Sequence, residues 1–251
     1  MTGHGAPVDL DDTLAVVGYG ADALDMALEA RLADALDHAP AAALVSRLEQ
    51  LRVALQADSP HAARSSTGLF GKLLGRDVQA EAEAAQLRDR LGALLAAADR
   101  DAAALESRTA VQQALLGEIE RATARIGARI GHGRQWLDAH PGAGAAQGPV
   151  VAPRDRLRQR LDQLATVQAS WSIGAGQLTL LRDQSLDLLA RYRRIRDVLL
   201  PAWRQQALGD AARAGSRHAA RAGEAQAAIE SEVAAMAGTL DPQPAPTQAR
   251  E

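Results

Sequence analysis

Residues that could carry chemistry are scattered along this chain. Histidines stand singly at His4, His38, His61, His132, His140 and His218. None pairs at the i,i+4 spacing that sets two imidazoles on one helix face, and no HExxH occurs. His132 and His140 flank the end of a helical stretch, where a cation suits the negative end of the dipole, so capping outranks ligation. Cysteine is absent, which excludes disulfides and thiolate metal sites and leaves the compartment open. Gly71-Lys72 has the centre of a phosphate loop, but Ser66 stands where that loop needs glycine and Leu73 where it needs Ser or Thr. No GxSxG, dinucleotide-binding glycine pattern or kinase signature appears. Carboxylates are plentiful, yet a coiled coil exposes them to water and builds no pocket to raise a pKa. The residues thus predict no catalytic group, no metal and no cofactor, and a chain that is not an enzyme. One cationic group stands out, Arg191, Arg193, Arg194 and Arg196. It reads as a contact for an anion or anionic lipid, or more plainly as a solvated face balanced by acids within the bundle.

The elements that must position these residues are helices. Leu157, Leu161, Leu164, Gln168, Trp171, Ala175 and Leu178 advance in steps of four and three, which sets them on one seam. That seam runs on through Leu181, Leu188 and Ile195. From Val78 to about Ala139 a second long helix carries Leu91, Ala98, Leu105, Gln112, Ile119 and Ile126 at one heptad position. Leu95, Ala102, Thr109, Leu116, Thr123, Ile130 and Leu137 hold another. Such a repeat predicts coiled-coil packing over about 60 residues, or roughly 90 Å, with the polar seam residues setting register. Gly, Pro and Ala between His140 and Pro153 make a turn, so the two helices fold into an antiparallel hairpin. Pro201 lacks a donor and disfavours helical angles at Leu200, which predicts an elbow at 200–203, with Trp203 packed one turn beyond it.

Earlier in the chain, acids at Asp9, Asp11 and Asp12 suit a helix start, and Gly18-Tyr19-Gly20 suits a turn. Asp22 is expected to cap the next helix, with Leu24, Leu28, Leu32 and Leu36 on its face. Pro40 suits the first turn of another, whose stripe is Leu44, Leu48, Leu51 and Leu55. Phe70, Leu73 and Leu74 form a short apolar turn that docks on the bundle. The expected organisation is a disordered start (1–8), short helices and a linker (9–77), the hairpin (78–208), a C-terminal helix (209–238) using Ile229, Val233 and Met236, and a disordered tail (239–251).

Composition agrees with thin bundles. Of 251 residues 47% are hydrophobic but only 2% aromatic, so alanine supplies apolar count without much area. No run of about 18 apolar residues is present, and Met1–Leu10 lacks the features of a signal peptide. This predicts a soluble cytoplasmic protein and leaves peripheral membrane contact and homo-oligomers open. A formal net charge of −3 with few aromatic residues speaks against nucleic acid.

Three blocks, in this order and spacing, resemble the toxic anion (tellurite) resistance family, TelA/KlaA. They are Val8-Asp9-Leu10-Asp11-Asp12 leading to Val17-Gly18-Tyr19-Gly20-Ala21; then Gly68-Leu69-Phe70-Gly71-Lys72-Leu73-Leu74-Gly75-Arg76; and Gln177-Leu178-Thr179-Leu180-Leu181-Arg182, closing in Leu200-Pro201-Ala202-Trp203-Arg204-Gln205-Gln206-Ala207-Leu208. The chain departs from the family at Asp183-Gln184, where an asparagine pair is usual, and at Gly176-Gln177, where Pro-Gln is. The resemblance implies a cytoplasmic all-α protein, an elongated antiparallel coiled-coil or helical bundle, tied to resistance to tellurite or envelope stress. It implies no catalytic residue. Gln177, Leu181, Pro201, Trp203 and Arg204 are the residues expected to matter for structure or interaction. Protein partners are expected, tellurium-resistance (Ter) stress proteins among them.

Overall fold

The computed structural model describes residues 9–10, 12–57, 76–140, 152–205 and 216–240. The expected disordered start, the expected tail from residue 241 on, the apolar turn at Phe70, the hairpin turn from Pro141 and the break at Gly209 lie outside these residues. The described residues are all-α, without strands. In chain order they form α1 (Thr13–Gly18), a 3₁₀ turn (Ala21–Ala23), α2 (Met26–Ala35), α3 (Ala39–Ala57), α4 (Arg76–Ala139), α5 (Pro153–Arg194) and α6 (Ser216–Leu240). α5 opens at Pro153 as expected, since proline loses nothing at a position with no intrahelical acceptor. α6 runs two residues past the expected end at 238.

The backbone divides into two compact units. The first holds the described residues of Met1–Asp37 and Ala110–Arg182, the second those of His38–Thr109 and Asp183–Glu251. α4 and α5 run antiparallel in each. In the first unit Gln113 meets Arg182 and Thr123 meets Gln168; in the second Glu106 meets Arg193.

The first core gathers Leu115, Ile119, Ile126 and Ile130 of α4 with Leu164, Trp171 and Leu178 of α5, and Leu28 and Ala35 of α2. A neighbouring cluster joins Leu10 and Val16 to Leu137, Leu157 and Leu161. Asp12 caps α1 by accepting from the Leu14 amide at 2.8 Å, as the acidic start predicts. Asp22 does not cap α2. Asp25 does, accepting from Ala27 and Leu28, while Asp22 lies in the 3₁₀ turn and pairs with Arg129.

The seam glutamine has a defined task in this unit. Gln112 is buried and donates from Nε2 to the Ala35 carbonyl at 3.0 Å. A polar seam residue thus holds the last carbonyl of α2, which fixes where that helix ends against α4.

The second core is built from Leu44, Leu48, Leu51 and Leu55 of α3, Leu91, Ala98 and Leu105 of α4, Leu188, Tyr192 and Ile195 of α5, and Ile229, Val233 and Met236 of α6. Every residue of the first expected heptad position, from Leu91 to Ile126, is buried, whereas Leu95, Leu116 and Thr123 of the second are half-buried. The helix does not restart at Pro201. Leu200 keeps right-handed angles (φ −67°, ψ −45°), and its amide bonds the Ile195 carbonyl, closing a π turn over Ile195–Leu199. Helical backbone continues over 200–205. A wider turn before the proline moves carbonyls away from its ring, so the missing donor is absorbed without a break.

Candidate functional site

The N-terminal turn is the most constrained polar feature of the first unit. Gly20 has φ +70°, and a Cβ there would come within 2.7 Å of Leu164 Cδ1. Only glycine meets both demands. Tyr19 donates its hydroxyl to the Arg129 carbonyl at 2.8 Å, while Arg160 Nε donates to the Tyr19 carbonyl at 2.9 Å. Burial raises the Tyr19 pKa, the charge of Arg129 partly opposing it. Gly133, one heptad beyond Ile126, is the seam position that periodicity of large residues hides. A Cβ there would sit 2.6 Å from Leu161 Cδ2 and 3.3 Å from Tyr19 Cε1. This turn is a structural clamp, locking the N-terminal segment across both long helices.

The arginine cluster proves to be charge-matched within the second unit. Arg191 pairs with Asp187 (2.7 Å) and Glu232 (3.1 Å), and Arg194 with the other oxygen of Glu232 (2.7 Å). Arg193 pairs with Glu106 (2.6 Å) and Arg196 with Asp99 (3.0 Å). The Asp99 oxygen also accepts from the Tyr192 hydroxyl at 2.6 Å. Tyr192 is 2% exposed; burial first, and then the bond to Asp99, push its pKa well above the usual tyrosine value. The plainer reading of the cluster, acids and bases attracting each other inside the bundle, describes this geometry.

The five remaining candidates do not converge. Gln177 is exposed and Leu181 buried, both in the first unit. In the second, Pro201 and Arg204 are exposed and Trp203 is half-buried against the core. Their surroundings reveal a face that heptad reasoning passes over. From Gln163 to Leu181 α5 carries no charge, although half of that stretch faces solvent. Ile173 is 65% and Leu180 67% exposed, with Gln177 between them on the same side of the helix. Beside this ridge lies a groove of about 380 Å³ between α4 and α5, lined by Gln113, Leu116, Gly117, Glu120, Ser172 and Thr179. The sequence signal was available: two large aliphatics seven apart, outside the seam, in an uncharged run.

No group of three or more His, Cys, Asp or Glu among the described residues could hold a metal ion. No helix among them is long and apolar enough to cross a membrane.

The fold defines an all-α protein of packed long helices. The chain is 32% identical to Protein KlaA of Escherichia coli over 199 residues, which span 78% of this chain and 77% of that protein. It belongs to the KlaA/TelA-type family. No protein-family model and no solved structure matches it.

Proposed function

We propose that the chain is a non-enzymatic, cytoplasmic helical scaffold that supports resistance to tellurite or envelope stress by binding protein partners, with Ter-type stress proteins the first to examine. The observation that carries this reading is the uncharged, solvent-facing side of α5, where Ile173 and Leu180 stand exposed beside an open groove. Large aliphatics on an uncharged helix face gain from being covered, and such patches mark interaction sites. Membership in the KlaA/TelA-type family supports the choice of physiological role.

Direct binding of anions or an anionic membrane through Arg191, Arg193, Arg194 and Arg196 would compete with the carboxylates these side chains already hold. The partner reading asks for no such exchange.

The test is resistance in cells carrying Ile173→Asp with Leu180→Asp. Both side chains point to solvent, so the fold is expected to survive and far-ultraviolet circular dichroism to be unchanged, while resistance falls to the level of cells lacking the protein. Full resistance in the folded double variant would remove this reading.

A further inference from the structure

Two arginines of the second unit, Arg191 and Arg194, share a carboxylate carried by a helix that lies over them. α6 packs against α3 and the π turn, and it presents Ile229, Glu232, Val233 and Met236 at positions i, i+3, i+4 and i+7, one stripe of a helix. Ile229, Val233 and Met236 are wholly buried. Glu232 is 13% exposed and takes Arg191 on one oxygen and Arg194 on the other. The part of α6 that carries this stripe, from Ala222 to Leu240, has Glu224, Glu230 and Glu232 and no base, whereas the start of α6 carries Arg217, His218 and Arg221. Its seat therefore combines an apolar trough with a pair of guanidinium groups fixed on its rim. That is the chemistry of a groove for an acidic amphipathic helix.

We propose that this seat is a second docking site, held in the free protein by α6 as an internal stand-in, and that its outside ligand is a partner's acidic amphipathic helix with the same apolar stripe and a carboxylate at the Glu232 position. Charge complementarity argues for that occupant: one carboxylate answers two arginines, and a helix lacking it would forgo that shared contact. Release of α6 is favoured over opening of the long helices because it contributes only these few large side chains to the core, so it is drawn from the low-stability end of the unit. Arg191 and Arg194 are then a gated carboxylate-recognising pair, while Arg193 and Arg196 stay matched by Glu106 and Asp99 of α4. The inference concerns a surface separate from the α5 face and does not depend on it.

The test uses the full chain with Glu232→Arg, which sets three cations together at the rim, and a fluorescein-labelled peptide of residues 216–240 with Glu232 intact. Hydrogen exchange should show amides of 223–240 losing protection at least tenfold while those of 91–105 and 44–55 keep theirs. The peptide should bind the variant at least tenfold more tightly than the native chain, and a peptide carrying Glu232→Arg should lose that gain. Joint loss of protection across α3, α4 and α6 would make α6 an inseparable part of the core and overturn the proposal. Unchanged α6 protection, or a peptide indifferent to Glu232, would overturn it equally. If the native chain dimerises with α6 cross-linking to Arg191 of a second copy, the occupant is that copy and the outside partner is excluded.

Discussion

At the scale of residues, the informative side chains sit at seams. Tyr192 stays neutral in the fold after an unfolded tyrosine begins to ionise near pH 10, because burial and the Asp99 bond raise its pKa. Its contribution is whole below about pH 10 and is lost as the pH climbs above it. Melting temperatures between pH 8 and pH 11 should therefore fall more steeply for the native chain than for Tyr192→Phe. Tyr19, raised in the same direction, keeps some slope in the variant. At neutral pH Tyr192→Phe should cost about 1 kcal/mol, the usual worth of one hydrogen bond. Equal slopes would mean that Tyr192 ionises freely. Gly20→Ala should destabilise by about 2 kcal/mol or more in denaturant titration, since it adds left-handed strain and crowds Leu164. Gly20 was legible as a turn residue. Gly133 was not, because a seam position whose purpose is to hold no side chain leaves no mark in apolar periodicity.

At the scale of elements, the heptads were largely readable. Both long helices, the first heptad position of α4 and the leucine stripe of α3 follow from spacing alone, whereas at the second position Leu115 and Ala122 are buried in place of Leu116 and Thr123. Pro201 was legible as a place where the helix must kink or restart; it does not restart, and the π turn that takes up the missing donor leaves little sign in the sequence. Pro201→Ala should therefore leave the unit folded and raise its stability by about 1 kcal/mol, an alanine being the better helix residue; an expected elbow would instead predict a loss. Trp203 is only half-buried, so Trp203→Ala should cost about 1–2 kcal/mol in denaturant titration, below the 3–5 typical of a core tryptophan. The ion pairs of Arg191 to Arg196 could not be read in advance. Charge signs along one helix do not say which acids of other helices arrive opposite, and Glu106, Asp99 and Glu232 come from two other helices.

At the scale of the whole molecule, two helical units each close their own core and leave different surfaces for contact. The first offers an uncharged face on α5; the second offers a seat filled by α6. Family membership rests on sequence likeness over most of the chain, and the α5 face is the means of action that the proposed function assigns to it. Ile173 and Leu180 stand exposed on an uncharged helix run beside a groove, and the partner reading rests on that face. The decisive measurement is site-specific photo-crosslinking at positions 173 and 180 in living cells exposed to tellurite, with exposed position 125 as control, run alongside resistance of the Ile173→Asp, Leu180→Asp variant. The scaffold account predicts one discrete cross-linked protein at both sites and none at 125, lost together with resistance in the folded double variant. No cross-link at 173 or 180, with resistance intact in that variant, would contradict it.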